Sequence, residues 1–120
     1  MKENLILDKF FKFAVSIVNL HKYLIKEKKE YVLSKQLLRS GTSIGANINE
    51  AQAGQSRKDF VAKMCIASKE ARETKYWIDL LIATEYLSIE DINTITVSDE
   101  IKEIIRLLTS IIKTSQTKSL

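Results

Sequence analysis

The sequence predicts an all-α domain, an up-down-up-down antiparallel four-helix bundle, and three observations predict it. Proline is absent and glycine occurs only three times in 120 residues, too few breakers for the turns of a sandwich or barrel. Hydrophobic residues make up 45% of the chain and recur at spacings of three and four through four long stretches. The segments between those stretches are short and polar, and two of them carry helix-capping signals. One domain spans 1–120, with helices expected at about 4–28, 31–53, 57–86 and 89–114.

The first helix carries two adjoining apolar stripes. One is Ile6, Phe10, Phe13, Ile17, Leu20 and Leu24; the other is Leu7, Phe11, Ala14, Val18 and Ile25. Together they cover more than half the circumference, wider than one core-facing side needs. The surplus predicts a second buried surface and therefore a homo-oligomer. The charged run KEKKE at 26–30 makes the first turn without glycine or proline.

The second helix faces the core with Leu33, Leu37, Ile44, Ile48 and Ala51. Its interior is costly, because Gly41 and Gly45 are each roughly 1 kcal/mol less favourable than alanine. Ser40, Thr42, Ser43, Asn47 and Asn49 add poor helix formers. Packing must recover the loss, since residues this small let another backbone come close. Gly41 and Gly45 are therefore expected at an oligomer interface, with Ile66, Trp77 and Leu80 forming a second flank on the third helix.

Gly54 suits a left-handed helix cap, and Ser56 with Asp59 makes a capping box that opens the third helix. Phe60, Met64, Ala67, Ala71, Thr74, Ile78 and Leu81 then keep a strict four-three spacing. Ser88 with Asp91 is read as a second box. The β-branched INTITV segment is assigned to helix because Val97, Ile101, Ile104, Leu108 and Ile111 continue a helical seam. The tail TSQTKSL is expected to fray.

Composition excludes several classes of function. A single cysteine, Cys65, rules out an internal disulfide, and the chain is expected in the reducing cytoplasm. Set within a helix beside Met64 and Ile66, it is expected to fill core or interface. The opening MKENLILDKF carries Glu3 and Asp8 and does not read as a signal peptide. The charge-free run from Phe13 to Leu20 falls far short of the ~20 residues that span a bilayer, so no membrane role is expected. Di-iron bundles need Glu-x-x-His on two helices, whereas this chain has one histidine, His21, without an acid at that spacing. No phosphate loop or nucleophile elbow is present. No catalytic residue, metal or cofactor is expected; the chain reads as a non-enzyme.

Two constellations remain. If the second and third helices turn near residue 55, Arg39 is level with Glu70 and Glu73, Asn47 with Lys63, and Glu50 with Phe60. Arg39, Ser43, Asn47 and Glu50 then form a structural polar strip with Glu70 and Glu73 that sets helix register. The other constellation is basic. Residues 1–60 carry 11 Lys and Arg against 6 Asp and Glu. The topology gathers Lys2, Lys9, Lys12, Arg57, Lys58, Lys63, Lys113 and Lys118 at one end of the bundle. Arg57 and Lys58, in the first turn of the third helix, are expected to be the central nucleic-acid contacts. Lys2, Lys9, Lys63 and Lys113 would form the field around them.

The stretches SGTSIGANINEAQAGQSRKDF and ASKEARETKYWIDL resemble a bacterial four-helix-bundle family encoded within 23S rRNA intervening sequences. The accessory variability proteins of diversity-generating retroelements are its relatives. The resemblance covers nearly the whole chain. It implies a four-helix bundle and a pentameric ring, and the retroelement relatives imply nucleic acid and a reverse transcriptase as partners. Gly45 stands where the family pattern has proline or a small residue, and the turn after the first helix lacks the usual Phe-Pro. The functional expectation is a non-enzymatic homo-oligomeric bundle that binds RNA or DNA backbone through its basic end. The alternative is a protein–protein interaction scaffold with no nucleic-acid role.

Overall fold

Four helices carry the four apolar seams: α1 (Lys2–Lys26), α2 (Leu33–Gln52), α3 (Arg57–Ala83) and α4 (Ile92–Lys118). A computed structural model describes residues 2–118. Consecutive helices run antiparallel as an up-down-up-down bundle measuring 49 × 25 × 20 Å. Each seam closes on the axis: Phe10, Phe13, Ile17, Leu20 and Leu24 meet Leu37, Ile44, Ile48, Met64, Ala67, Ile78, Leu81, Ile101, Ile104 and Leu108. The INTITV segment is helical, because its Val97 seam is buried against this core. Helical structure continues to Lys118, so most of the tail expected to fray is helix.

Two of the caps depart from expectation. Gly54 has no positive φ. A Cβ there would fall 3.1 Å from the Ala51 carbonyl oxygen and 3.4 Å from the Phe60 nitrogen. Glycine at this position makes room for the entry of α3 rather than a left-handed cap. Ser56 does cap α3, accepting from the Asp59 N–H at 3.1 Å. At α4 the cap is Asp91, whose carboxylate accepts from the Asn93 N–H at 2.8 Å; Ser88 instead accepts from Glu90 in a local turn.

The first turn is built by Glu30, the last charge of the KEKKE run. Lys29 takes the left-handed conformation, at φ 56°, and the Glu30 N–H returns to the Leu24 carbonyl. The Glu30 side chain is then buried under the start of α2. Its carboxylate accepts from the N–H groups of Val32, Leu33 and Ser34 at 3.2, 3.1 and 2.7 Å. A carboxylate at this place satisfies orphan donors and complements the helix dipole. The turn needs no glycine because the cap offsets the cost of a left-handed lysine.

Gly41 is buried, and a Cβ there would fall 2.7 Å from Ile17 Cγ2. Its expected place at an interface between subunits is therefore corrected: it serves the close approach of α1 and α2 inside one chain. Gly45 is half-buried over Phe10 at ordinary van der Waals distance and faces outward between the same helices. The α1–α4 seam is the least closely packed of the four.

Candidate functional site

The polar strip holds α2 against α3. The Arg39 guanidinium donates to Glu70 Oε2 at 3.0 Å and also to Glu73 Oε2. Trp77 Nε1 donates to the same Glu73 oxygen at 3.3 Å. Half of the Arg39 side chain is exposed, so this network is worth about 1 kcal/mol rather than the 3–5 of a buried pair. Ser43 and Asn47 do not cross to α3. Ser43 Oγ donates to the Arg39 carbonyl and Asn47 Nδ2 to the Ser43 carbonyl, both within α2.

Glu50 meets Lys63 at 3.0 Å rather than sharing a level with Phe60. The displacement has a geometric cause. Side chains lean toward the N-terminus of their own helix, so on antiparallel helices contacts shift along α3 relative to the backbone level. The same shift brings together Thr74 and Ser40, whose hydroxyls hydrogen-bond at 3.0 Å in the core. That buried link was missed because hydroxyls on an apolar seam carry no signal of their partner.

At the basic end, Arg57 and Lys58 are exposed side by side and make no ion pair among the described residues. The surrounding field is weaker than the sequence implies. Lys63 is paired with Glu50, Lys12 with Asp8 at 3.0 Å, and Lys9 with Glu103 at 2.7 Å. Lys9 holds the Glu103 carboxyl below the usual carboxylate range, first by hydrogen bonding and then by charge. Lys113 is exposed on α4 beside Arg72 and Thr109. The side chains of Lys2 and Lys118 lie outside the described residues.

The second apolar stripe of α1 remains at the surface. Phe11 is 69% exposed, and with Leu7, Ala14, Gly45 and Ala46 it lines an apolar groove of about 550 Å³ between α1 and α2. On a different side of the bundle, Ile66 is 44% exposed on α3, and Trp77 and Leu80 are half-buried. Tyr76, 59% exposed and edge-on to Trp77, belongs to this flank although its polar hydroxyl kept it out of the apolar pattern.

Among the described residues no cluster of three or more His, Cys, Asp or Glu could hold a metal. Cys65, expected to fill core or interface, is exposed. His21 is half-buried, and Nδ1 lies 3.1 Å from the Ser34 carbonyl oxygen. A carbonyl can only accept, so Nδ1 carries the proton. No helix of the described residues is long and apolar enough to cross a membrane.

None of the curated proteins compared matches the chain. Among solved structures, the bundle is similar to a protein of unknown function from the S23 ribosomal protein family of Bacteroides thetaiotaomicron. The two are 57% identical, with a TM-score of 0.88, over 94% of this chain and 99% of the other. The family model for 23S rRNA-intervening sequence proteins matches residues 2–110, which is all of α1 to α3 and most of α4. With four helices in the same arrangement and a match over that span, the chain belongs to the 23S rRNA-intervening sequence protein family.

Proposed function

We propose that this protein is a cytoplasmic, non-enzymatic bundle that assembles into a homo-oligomeric ring, five-membered as the family resemblance implies, and binds nucleic acid at its basic end. The observation that carries the reading is the exposed α1 stripe around Phe11 beside the small residues Gly45 and Ala46 of α2. An apolar groove of this kind is uncommon on a monomer unless something covers it. A second apolar flank, Ile66 with Trp77 and Leu80, lies on a different side of the bundle. Two unlike faces give each subunit two different neighbours, which favours a head-to-tail ring over a two-fold dimer.

Arg57 and Lys58 support the nucleic-acid part, being exposed, without ion pairs among the described residues, and next to the free N–H groups of α3. One subunit offers few such cations, because Lys9 and Lys63 are neutralised. A ring multiplies them on one face, and several phosphate contacts are what hold a polyanion at physiological salt. Sedimentation and salt-dependent binding to unrelated RNA and DNA test both parts. We expect an oligomer whose affinity falls steeply with salt, and Arg57→Glu with Lys58→Glu should weaken binding across sequences and flatten the slope. A monomer at micromolar concentration refutes the assembly, and undiminished binding by the double variant refutes the site. An oligomer that binds no nucleic acid even at low salt selects the protein-scaffold reading.

A further inference from the structure

Where α1 and α4 part, at the end of the bundle opposite Arg57 and Lys58, a polar cleft of about 250 Å³ opens. Ser16, Asn19 and Tyr23 of α1 face Asn93, Thr94 and Thr96 of α4 across it, with Asp91 at the α4 cap. Leu20 and Val97 give it an apolar base. Sequence reading passed over it, because its polar residues are scattered on two helices and belong to no motif.

Thr94 is the informative residue. Five polar or charged residues are buried among those described: Glu30, Ser34, Ser40, Thr74 and Thr94. The first four all have side-chain hydrogen bonds. Thr94 is only 2% exposed, yet its hydroxyl makes none, although Thr96 in the same turn bonds back to the Ile92 carbonyl. A hydroxyl with no protein partner is matched from the cleft, by water or by a ligand. This hydroxyl is not sealed in: among described residues Glu100 Oε1 is the one side-chain oxygen that is both fully enclosed and unpartnered. Thr94 lines the cleft, so its hydroxyl opens on it. Asn19 and Tyr23, both exposed, line the same cleft with an amide and a hydroxyl that have no protein partner among the described residues.

We propose that this cleft binds a small uncharged molecule bearing a vicinal diol on a ring, either the ribose of a nucleoside or a free monosaccharide. Size sets the first limit, since the cleft is smaller than the ~300–1,000 Å³ of sites for drug-sized ligands. Charge sets the second. The lining has one carboxylate, Asp91, and no cation, so phosphates are disfavoured and a neutral ligand is preferred. The donor set gives the third. A carboxylate with two carboxamides offers adjacent acceptors and donors, and each hydroxyl of a diol both donates and accepts. Thr94 would supply a further partner from the base, and Tyr23 an apolar ring edge beside the sugar.

Isothermal titration calorimetry of the whole chain with adenosine, 2′-deoxyadenosine, adenosine monophosphate and D-ribose tests the proposal. Adenosine is expected to bind, with 2′-deoxyadenosine and the monophosphate each weaker by at least about tenfold, because a site that pairs a hydroxyl is left unsatisfied without it. Ribose binding as well as adenosine assigns a free sugar; adenosine alone assigns a nucleoside. Thr94→Val should weaken the diol about tenfold with the fold retained, Thr94→Ser should restore it, and Lys69→Ala, exposed on α3 away from the cleft, should leave it unchanged. Should neither diol bind at millimolar concentration, or should 2′-deoxyadenosine match adenosine, the proposal is overturned. Equal affinity of Thr94→Val and the parent overturns it as well, and leaves the cleft to ordered water.

Discussion

Replacing Gly41 by alanine is expected to destabilise the bundle, whereas replacing Gly45 by alanine is expected to stabilise it. Helix propensity alone favours alanine at both positions by roughly 1 kcal/mol. Tertiary contact separates them. At Gly41 the new Cβ would fall 2.7 Å from Ile17 Cγ2 and 2.9 Å from Ile17 Cγ1. Both atoms are branches of one side chain whose χ1 is nearly fixed in a helix, so no rotation clears both. The helices must separate instead, and such overpacking costs about 1–3 kcal/mol. The net expectation at Gly41 is a loss of about 1 kcal/mol. At Gly45 the nearest atoms are Phe10 O at 3.6 Å and Phe10 Cβ at 3.7 Å, an ordinary contact. There the propensity gain of about 0.5–1 kcal/mol stands. Urea unfolding followed by circular dichroism, at one fixed subunit concentration, measures the difference, since assembly shifts midpoints by mass action. In an Ile17→Ala background the penalty at Gly41 should largely vanish, a coupling that a double-mutant cycle reads directly. If Gly41→Ala is as stable as Gly45→Ala, the close approach of α1 and α2 is refuted.

Further expectations follow from the caps and the charges. Glu30→Ala should cost about 1–3 kcal/mol, because the buried Ser34 N–H loses its acceptor, and Glu30→Gln should cost less; equal, negligible losses in both would remove Glu30 from its capping role. Lys29→Gly should raise the unfolding midpoint by about 1 kcal/mol of stability, since only glycine adopts φ 56° without strain, and a loss would contradict the assigned turn. The depressed folded value of Glu103 means that its contribution is present above the ordinary carboxylate range and is lost as pH falls through that depressed value. Lys9→Met should therefore flatten the acid limb of thermal stability against pH, and an unchanged limb would show that the ion pair does not persist in solution.

What could be read from the sequence alone were properties of single helices. The α1 seam from Phe10 to Leu24 and the α3 seam from Met64 to Leu81 are legible because 3.6-residue periodicity belongs to the chain itself. Short turns then make neighbours antiparallel, which is why Arg39 could be matched with Glu70 and Glu73 before any coordinates. Relations between helices were decided by the tertiary structure. The rotation of α2 about its axis turns Gly41 inward onto Ile17 and leaves Gly45 in the groove, though both glycines look alike in the sequence. The lean of side chains toward their N-termini moves Glu50 onto Lys63 and joins Ser40 to Thr74. Lys9 finds Glu103 only because α1 and α4 become neighbours, and that pairing removes a cation the sequence had offered to an anionic partner. The unmatched Thr94 hydroxyl likewise exists only where those two helices draw apart. Periodicity states which face of a helix is buried; what that face meets depends on axis separation and rotation, which no single segment contains.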